Sequence, residues 1–262
     1  MNEKIGLGVV TYNRPEYFKK IFASIPLYAV DEIVIVNDGT PYGEENHVHC
    51  IQHETNMGVG ISKNDAIKHL LSKGCDYIFL MEDDIIIKDP IVFQKYIQAS
   101  KQSGIQHFNY SQHGLMNKFP NTETPSPKTI IQYSSDVSVA LYPHCVGAFS
   151  FYTKKCLDKV GLLDEKFYNA TEHLEHTYNI IKNGMHPPFW WFADLPDANK
   201  YLADIPWSVQ GSTISSNPKH RDTVLESHRY FHQKHKIQLL QIPMESLDNV
   251  KQNLKSIYKN ER

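Results

Sequence analysis

Three acids in a row, Glu82-Asp83-Asp84, end the apolar run Tyr77-Ile78-Phe79-Leu80-Met81 and precede the three isoleucines 85 to 87. The run is short, β-rich and bounded by Gly74, so it reads as a buried strand. Lys88-Asp89-Pro90 reads as a turn, with Pro90 able to open the next helix. Adjacent carboxylates at the end of a buried strand repel one another and lose solvation, so something must offset them. A divalent cation would do so. Mg²⁺ and Mn²⁺ take oxygen ligands, typically one or two carboxylates plus substrate phosphates. An α/β sheet binds its ligand at the carboxyl ends of its strands, where these acids fall. The plain alternative is a solvated acidic turn.

Such acids need a sheet to hold them, and the first ninety residues supply one. Ile5 to Thr11 reads as an apolar strand, and Asn13-Arg14-Pro15-Glu16 as a turn opening a helix with Phe18, Ile21, Phe22 and Ile25 on one face. Glu32 to Val36 is a second strand, ended by Asn37-Asp38-Gly39-Thr40-Pro41, and Val48 to His53 a short third. The Asn56 to Asn64 loop then leads into an amphipathic helix through Ala66, Ile67, Leu70 and Leu71. Strand, helix, strand at this spacing is a βαβ pattern with a parallel sheet. Each strand is followed by a polar cluster, so the clusters converge on one edge of the sheet. Together they offer acceptors for a base and ribose, cations and amides for phosphate, and carboxylates for a metal, which is the inventory of a nucleotide-diphosphate site. Gly58-x-Gly60 is neither a dinucleotide fingerprint nor a P-loop, because the spacing and the Lys-Ser/Thr ending are absent.

Beyond residue 90 the pattern is less regular. Phe93, Tyr96 and Ile97 suit a helix, and His107 to Thr129 reads as a mobile or substrate-covering loop. Val137 to Tyr142 and Ala148 to Tyr152 read as strands, Thr153 to Val160 as a short helix, and Thr171 to Asn183 as a helix closed by Gly184. Trp190 and Trp191 suit either an acceptor-stacking surface or the core. Met244 to Tyr258 is an amphipathic helix that could pack on the domain, meet a second subunit or touch a membrane surface.

The 262 residues, 41% hydrophobic and 21% charged, describe an ordinary globular chain with ample core. A net charge of −2 gives no electrostatic reason to expect nucleic acid as a partner. Cys50, Cys75, Cys145 and Cys156 have no C-x-x-C or zinc spacing, which suits reduced thiols in a cytoplasmic protein. No signal-peptide pattern is read at the start, and no apolar run nears the length of about 20 residues that spans a bilayer.

The order of the pieces resembles the nucleotide-sugar glycosyltransferases of the GT-A fold, family 2 above all. Their pattern is T-x-N-R after the first strand, D-D-G-S/T after the second, an N-x-G loop and helix, and an acidic D-x-D-type strand end. Here the counterparts are Thr11-Tyr12-Asn13-Arg14, Asn37-Asp38-Gly39-Thr40, Asn56-x-Gly58 with Lys63-Asn64, and Glu82-Asp83-Asp84. The Glu-Asp-Asp form is also similar to the acidic motif of the N-acetylglucosaminyltransferases that start complex N-glycans. The resemblance implies an α/β fold with a mostly parallel central sheet flanked by helices. It implies one GT-A domain over 1–262: a donor-binding half at 1–90, an acceptor half at 91–215 and a helical extension at 216–262. It further implies a Mn²⁺- or Mg²⁺-dependent transfer from a nucleotide-diphosphate sugar, a UDP-sugar first, to an acceptor hydroxyl. Thr11, Tyr12, Asn13, Arg14, Asp38, Asn56, Gly58, Lys63, Asn64 and Asp83 would bind the donor, with Asp38 at the base and Asp83 at the ribose or sugar. Asp84, with Glu82, would hold the metal, and a late histidine, His220 or His228, could complete its shell.

Farther along, Gly161-Leu162-Leu163-Asp164-Glu165-Lys166-Phe167, then Glu172-His173-Leu174-Glu175-His176, resembles the family pattern G-x-F-D-E-x-F followed by E-D-x-D/E. His173 stands where that pattern has its usual base, an aspartate. The segment is similar as well to the E-N-x-E of the retaining polypeptide N-acetylgalactosaminyltransferases, so inverting and retaining chemistry both stay open. At helical spacing Glu172, Glu175 and His176 share a face and His173 points about 100° away. This ranks Glu172 first as base, Glu175 second and His173 third. Two other classes remain: a nucleotidyltransferase on a related sheet, disfavoured by the lack of a glycine-rich loop in Val9 to Pro15, and a non-catalytic nucleotide- or sugar-binding module.

Overall fold

The first strand, β1 (Ile5–Thr11), is buried at every position, as a strand covered by helices on both faces must be. This computed structural model describes residues 3–43, 48–206, 213 and 216–260. After β1 come α1 (Pro15–Ser24), β2 (Glu32–Asn37), β3 (His49–Gln52), α2 (Val59–Ser72) and β4 (Tyr77–Glu82). The chain continues with β5 (Ile85–Ile87), α3 (Ile91–Ser103), β6 (His107–Asn109), β7 (Thr129–Gln132), β8 (Ser138–Tyr142), β9 (Phe149–Thr153) and α4 (Lys154–Val160). It ends with α5 (Glu172–Lys182), β10 (Phe192–Asp194), β11 (Leu202–Asp204), α6 (His220–His235) and α7 (Leu247–Asn260).

The main sheet runs in the order β3-β2-β1-β4-β9-β6. The first four strands are mutually parallel, and β9 lies antiparallel to both β4 and β6. Strands from both halves of the chain therefore share one sheet. A three-stranded sheet, β10-β8-β7, and the pair β11-β5 lie beside it. The register Thr11↔Asn37 and Val10↔Glu82 brings the ends of β1, β2 and β4 level, so the polar residues that follow them meet on one edge.

One apolar core packs α1 and α3 on one side of this sheet, through Phe18, Phe79, Phe93 and Tyr96, and the second packs α2 on the other, through Ala66, Ile67 and Leu70. A Cβ on Gly8 would lie 2.7 Å from the Ala66 Cβ, so glycine on β1 lets α2 approach. The N-terminal half follows the sequence closely. The one shift is that α2 begins at Val59, which puts Lys63 and Asn64 on its first two turns and not in a loop.

The second half departs more. His107 to Asn109, read as the start of a loop, is the buried strand β6 at the sheet edge. Its polar residues are satisfied internally, with His107 Nδ1 at 2.9 Å from the Phe151 carbonyl and Ser150 Oγ donating to Asn109 Oδ1 at 2.9 Å. Trp190 and Trp191 donate from their indoles to the Ile242 and Glu245 carbonyls, and Trp191 is buried, so the pair anchors the C-terminal segment. The α7 face of Val250, Leu254 and Ile257 is buried in the main core, and α7 packs on α3. No described helix is long and apolar enough to cross a membrane.

Candidate active site

At the strand ends, Thr11, Tyr12, Arg14, Asp38, Asn56, Glu82 and Asp83 line one pocket, closed from the other side by Tyr168, Asn169, Asn217 and His220. Seven of the residues singled out from sequence thus converge, with His220 of the two late histidines; His228 does not line it. Asp84 is absent from that lining, while Asn13, Gly58 and Asn64 brace the turns around it. Asn13 takes a positive φ of 52° and accepts from the Thr40 amide at 2.8 Å, joining the two turns. Asn64 donates to the Leu163 carbonyl and accepts from the Leu163 amide, both at 2.9 Å, tying α2 to the turn before α5. Gly58 has φ 92°, and its amide donates to Asp38 Oδ2 at 2.8 Å.

The acids are handled unequally. Asp83 is 1% exposed; Thr11 Oγ1 donates to its Oδ2 at 2.6 Å, and Arg14 Nη2 pairs with its Oδ1. Burial pushes its carboxyl up to about 6 against the opposing pull of Arg14 and Thr11. Arg14 also reaches Asp84 Oδ2, at 3.5 Å. The other Asp84 oxygen, Oδ1, is buried with no protein partner. Burial raises the Asp84 carboxyl, His113 and Arg14 oppose the rise, and Glu82 and Asp204 add to it. Arg14 therefore supplies part of the compensation for which the sequence suggested a divalent cation. Of the three acids, Asp84 is the one with a buried oxygen that no described residue hydrogen-bonds. His220 Nδ1, in the pocket, is likewise buried without a partner. Asp84 Oδ1 and His220 Nδ1 are atoms of the kinds a divalent cation takes, though only His220 lines the pocket. Among the described residues no three acidic, histidine or cysteine side chains are grouped so as to hold a metal by themselves.

Glu82 is drawn into a different network. Lys63 is 1% exposed, and its Nζ donates to Glu82 Oε1 at 2.7 Å, to the Gly147 carbonyl at 3.1 Å and to Glu172 Oε1 at 3.4 Å. Burial would lower the ammonium's pKa, but Glu82 and Glu172 outweigh it and hold the lysine charged. Burial would equally raise Glu172, but His173 and Lys63 outweigh it and hold that carboxyl well below its usual range. Lys63→Met leaves two carboxylates facing each other without a cation. It is expected to cost about 3–5 kcal/mol in urea unfolding, the size of a broken buried pair. Adding Glu172→Gln should recover part of the loss; a cost below about 1 kcal/mol for Lys63→Met alone would contradict this role.

The helix face shared by Glu172, Glu175 and His176 is the packed one, with exposures of 4%, 0% and 0%. Glu175 is held by His235 at 2.8 Å, Lys234 at 2.9 Å and Asn179 at 2.7 Å, on the side where α6 packs. His173, off that face, stays partly open, with Nδ1 at 3.0 Å from Glu172 Oε1. A Cβ on Gly147 would lie 2.6 Å from the His173 ring, so the glycine makes room for it.

Several contributors carry no sequence signal. The Tyr42 hydroxyl lies 3.0 Å from Thr11 Oγ1 and accepts from the Arg14 amide at 2.9 Å. Asn169 accepts from the Val59 amide at 2.9 Å, and Tyr168 donates to Asn56 at 3.0 Å. His113 sits 2.9 Å from Asp204 on β11, the strand paired with β5 directly after Asp84. Each reaches the site from far along the chain.

The family model for glycosyl transferase family 2 matches residues 7–161. An uncharacterized glycosyltransferase of Acanthamoeba polyphaga mimivirus is 23% identical over 228 residues, covering 80% of this chain and 85% of that protein. Among solved structures, GalNAc-T7 with UDP, GalNAc and Mn²⁺ superposes with a TM-score of 0.53 at 12% identity, over 98% of this chain and 55% of that one. Mannosyltransferase PcManGT from Pyrobaculum calidifontis in complex with GDP-Man and Mn²⁺ gives a TM-score of 0.48 at 12% identity, over 69% of this chain and 52% of that one. The chain spans about half the length of each of these two solved chains.

Proposed function

The chain belongs to glycosyl transferase family 2, and from that premise we propose that it moves a sugar from a UDP-sugar to an acceptor hydroxyl with a divalent metal bound at Asp84. The α/β GT-A fold and the glycosyltransferase class replace the two alternatives, a nucleotidyltransferase and a non-catalytic module. The observation that carries the finer reading is the convergence of Asp38, Arg14, Asp83 and His220 on one pocket at the ends of β1, β2 and β4. Asp38, as a carboxylate, would accept the imide N–H of uracil, with the rings of Tyr12 and Tyr168 beside it. Asp83 would face the ribose or the sugar. Asp84 would hold the metal, with His220 as second ligand. Glu82, already given to Lys63, would act mainly through that lysine. A bound metal would neutralise the charge that develops on the leaving diphosphate.

For the acceptor side the reading favours inversion with His173 as base. Glu172 holds Nδ1, so Nε2 is left to take the acceptor proton. The acceptor oxygen then bonds to the anomeric carbon as the bond to the diphosphate breaks, and UDP leaves. Glu172, ionised and bound to Lys63, is a poor base and serves as the group that orients His173. The free thiols of Cys75, Cys145 and Cys156 support work in a reducing compartment such as the cytoplasm. The apolar face of α7 is used within the chain, so it supplies no surface for the oligomer considered from sequence.

The test is a thermal-shift screen of nucleotides with and without Mn²⁺. A ligand of the native state raises the melting temperature. UDP with Mn²⁺ should raise it and UDP with a chelator should raise it less. A flat response to every nucleotide diphosphate would contradict the reading.

A further inference from the structure

We propose that His53 is a specificity-determining residue: by occupying Asp38 it limits the nucleotide base to one that offers a single N–H. This rests on the reading of the pocket as a uridine-nucleotide site. His53 directly follows β3, and its amide donates to the Asn37 carbonyl at 3.0 Å. Its ring is 11% exposed and bridges two carboxylates. Nδ1 lies 2.6 Å from Asp38 Oδ1, and Nε2 lies 3.1 Å from Asp65 Oδ2 on α2. An ionised carboxylate only accepts, so the proton between His53 and Asp38 is on Nδ1.

Counting acceptor positions gives the consequence. A carboxylate has about four, two on each oxygen. On Asp38, Oδ1 takes the Met57 amide at 2.7 Å as well as His53, and Oδ2 takes the Gly58 amide at 2.8 Å. Oδ1 is then full and Oδ2 has one position left. Asp38 lines the pocket, so that position is what a ligand meets. Uracil presents one imide N–H between two carbonyls and matches it. Guanine presents N1–H and N2–H together and needs one acceptor on each oxygen. With His53 in place the second guanine hydrogen is buried against a filled oxygen, and an unmade buried hydrogen bond is costly. Without the Asp38 contact Oδ1 regains a position and guanine can be held by both oxygens.

Two near-isosteric substitutions separate the two ends of the bridge. The amide nitrogen of Asn reaches about where Nδ1 lies and can keep the bond to Asp38. That of Gln reaches about where Nε2 lies and can keep only Asp65. The experiment is calorimetric titration of the intact chain with UDP and with GDP, each with Mn²⁺, for wild type, His53→Gln, His53→Asn and Asp38→Asn. His53→Gln should lower the ratio of GDP to UDP dissociation constants by about tenfold, the worth of one well-made hydrogen bond. His53→Asn should keep the ratio within about threefold of wild type. A purely structural role would weaken both nucleotides alike and leave the ratio unmoved. An unchanged ratio in His53→Gln, with UDP binding weakened in Asp38→Asn, overturns the proposal and leaves the uridine site standing. So does His53→Asn behaving as His53→Gln. UDP affinity unchanged in Asp38→Asn would instead remove Asp38 from the base site, and both readings with it.

Discussion

Asp84→Asn is expected to abolish the Mn²⁺ dependence of nucleotide binding and leave the fold intact. Asp83 is less available, because Thr11 and Arg14 each hold one of its oxygens. Glu82 is turned to Lys63. Of the three acids, Asp84 is the one with a buried oxygen that has no partner among the described residues, and burial penalises its charge. The amide has the same shape but no charge to give. Its one protein ion pair, with Arg14 at 3.5 Å, is long, so little stability goes with it. Loss of a direct ligand should exceed the 10–100-fold typical of outer-shell partners, so UDP affinity in Mn²⁺ should fall by more than about 100-fold. Calorimetry with Mn²⁺ and with a chelator measures this. Wild-type affinity and metal dependence in the variant would move the metal away from Asp84.

His173→Asn should lower turnover by roughly 10²–10⁴, the usual contribution of a general base. The donor dissociation constant should barely change, because His173 does not line the nucleotide pocket. Glu172→Gln should lower turnover less, since it loosens the imidazole without removing it. Glu175→Gln should leave chemistry alone and affect stability, because its partners are Lys234, His235 and Asn179. Turnover, donor affinity and the anomeric configuration of the product decide the matter. An inverted product with full activity in His173→Asn would remove His173 as base. A retained product would remove the need for one.

The first ninety residues are legible in the sequence because each of their main strands is a continuous apolar run that stops at a polar cluster. β1, β2 and β4 are buried almost throughout, and the register of a parallel sheet then fixes where their ends meet. Beyond residue 90, β8 and β9 are legible as apolar runs but the shorter strands are hidden. β6 and β10 are three residues each, and β6 buries His107 and Asn109, whose partners lie on other elements and leave no local pattern. The periodicity on α5 groups Glu172, Glu175 and His176 correctly, but the face they share is the buried one. Three ionisable residues on one face look like a site, yet here ion pairs with Lys63, Lys234 and His235 let them be the packed face. Arg14 as the acids' counter-ion, and His53 as Asp38's partner, join residues 69 and 15 positions apart, and nothing in the order of the chain announces such pairs.

The most direct measurement is a crystal structure of the chain with UDP and Mn²⁺, with the metal located by its anomalous scattering. The account predicts one Mn²⁺ bonded to Asp84 and to the diphosphate, with the uracil N3–H on Asp38. Nucleotide bound elsewhere than at the ends of β1, β2 and β4, or a manganese peak away from Asp84, would contradict it.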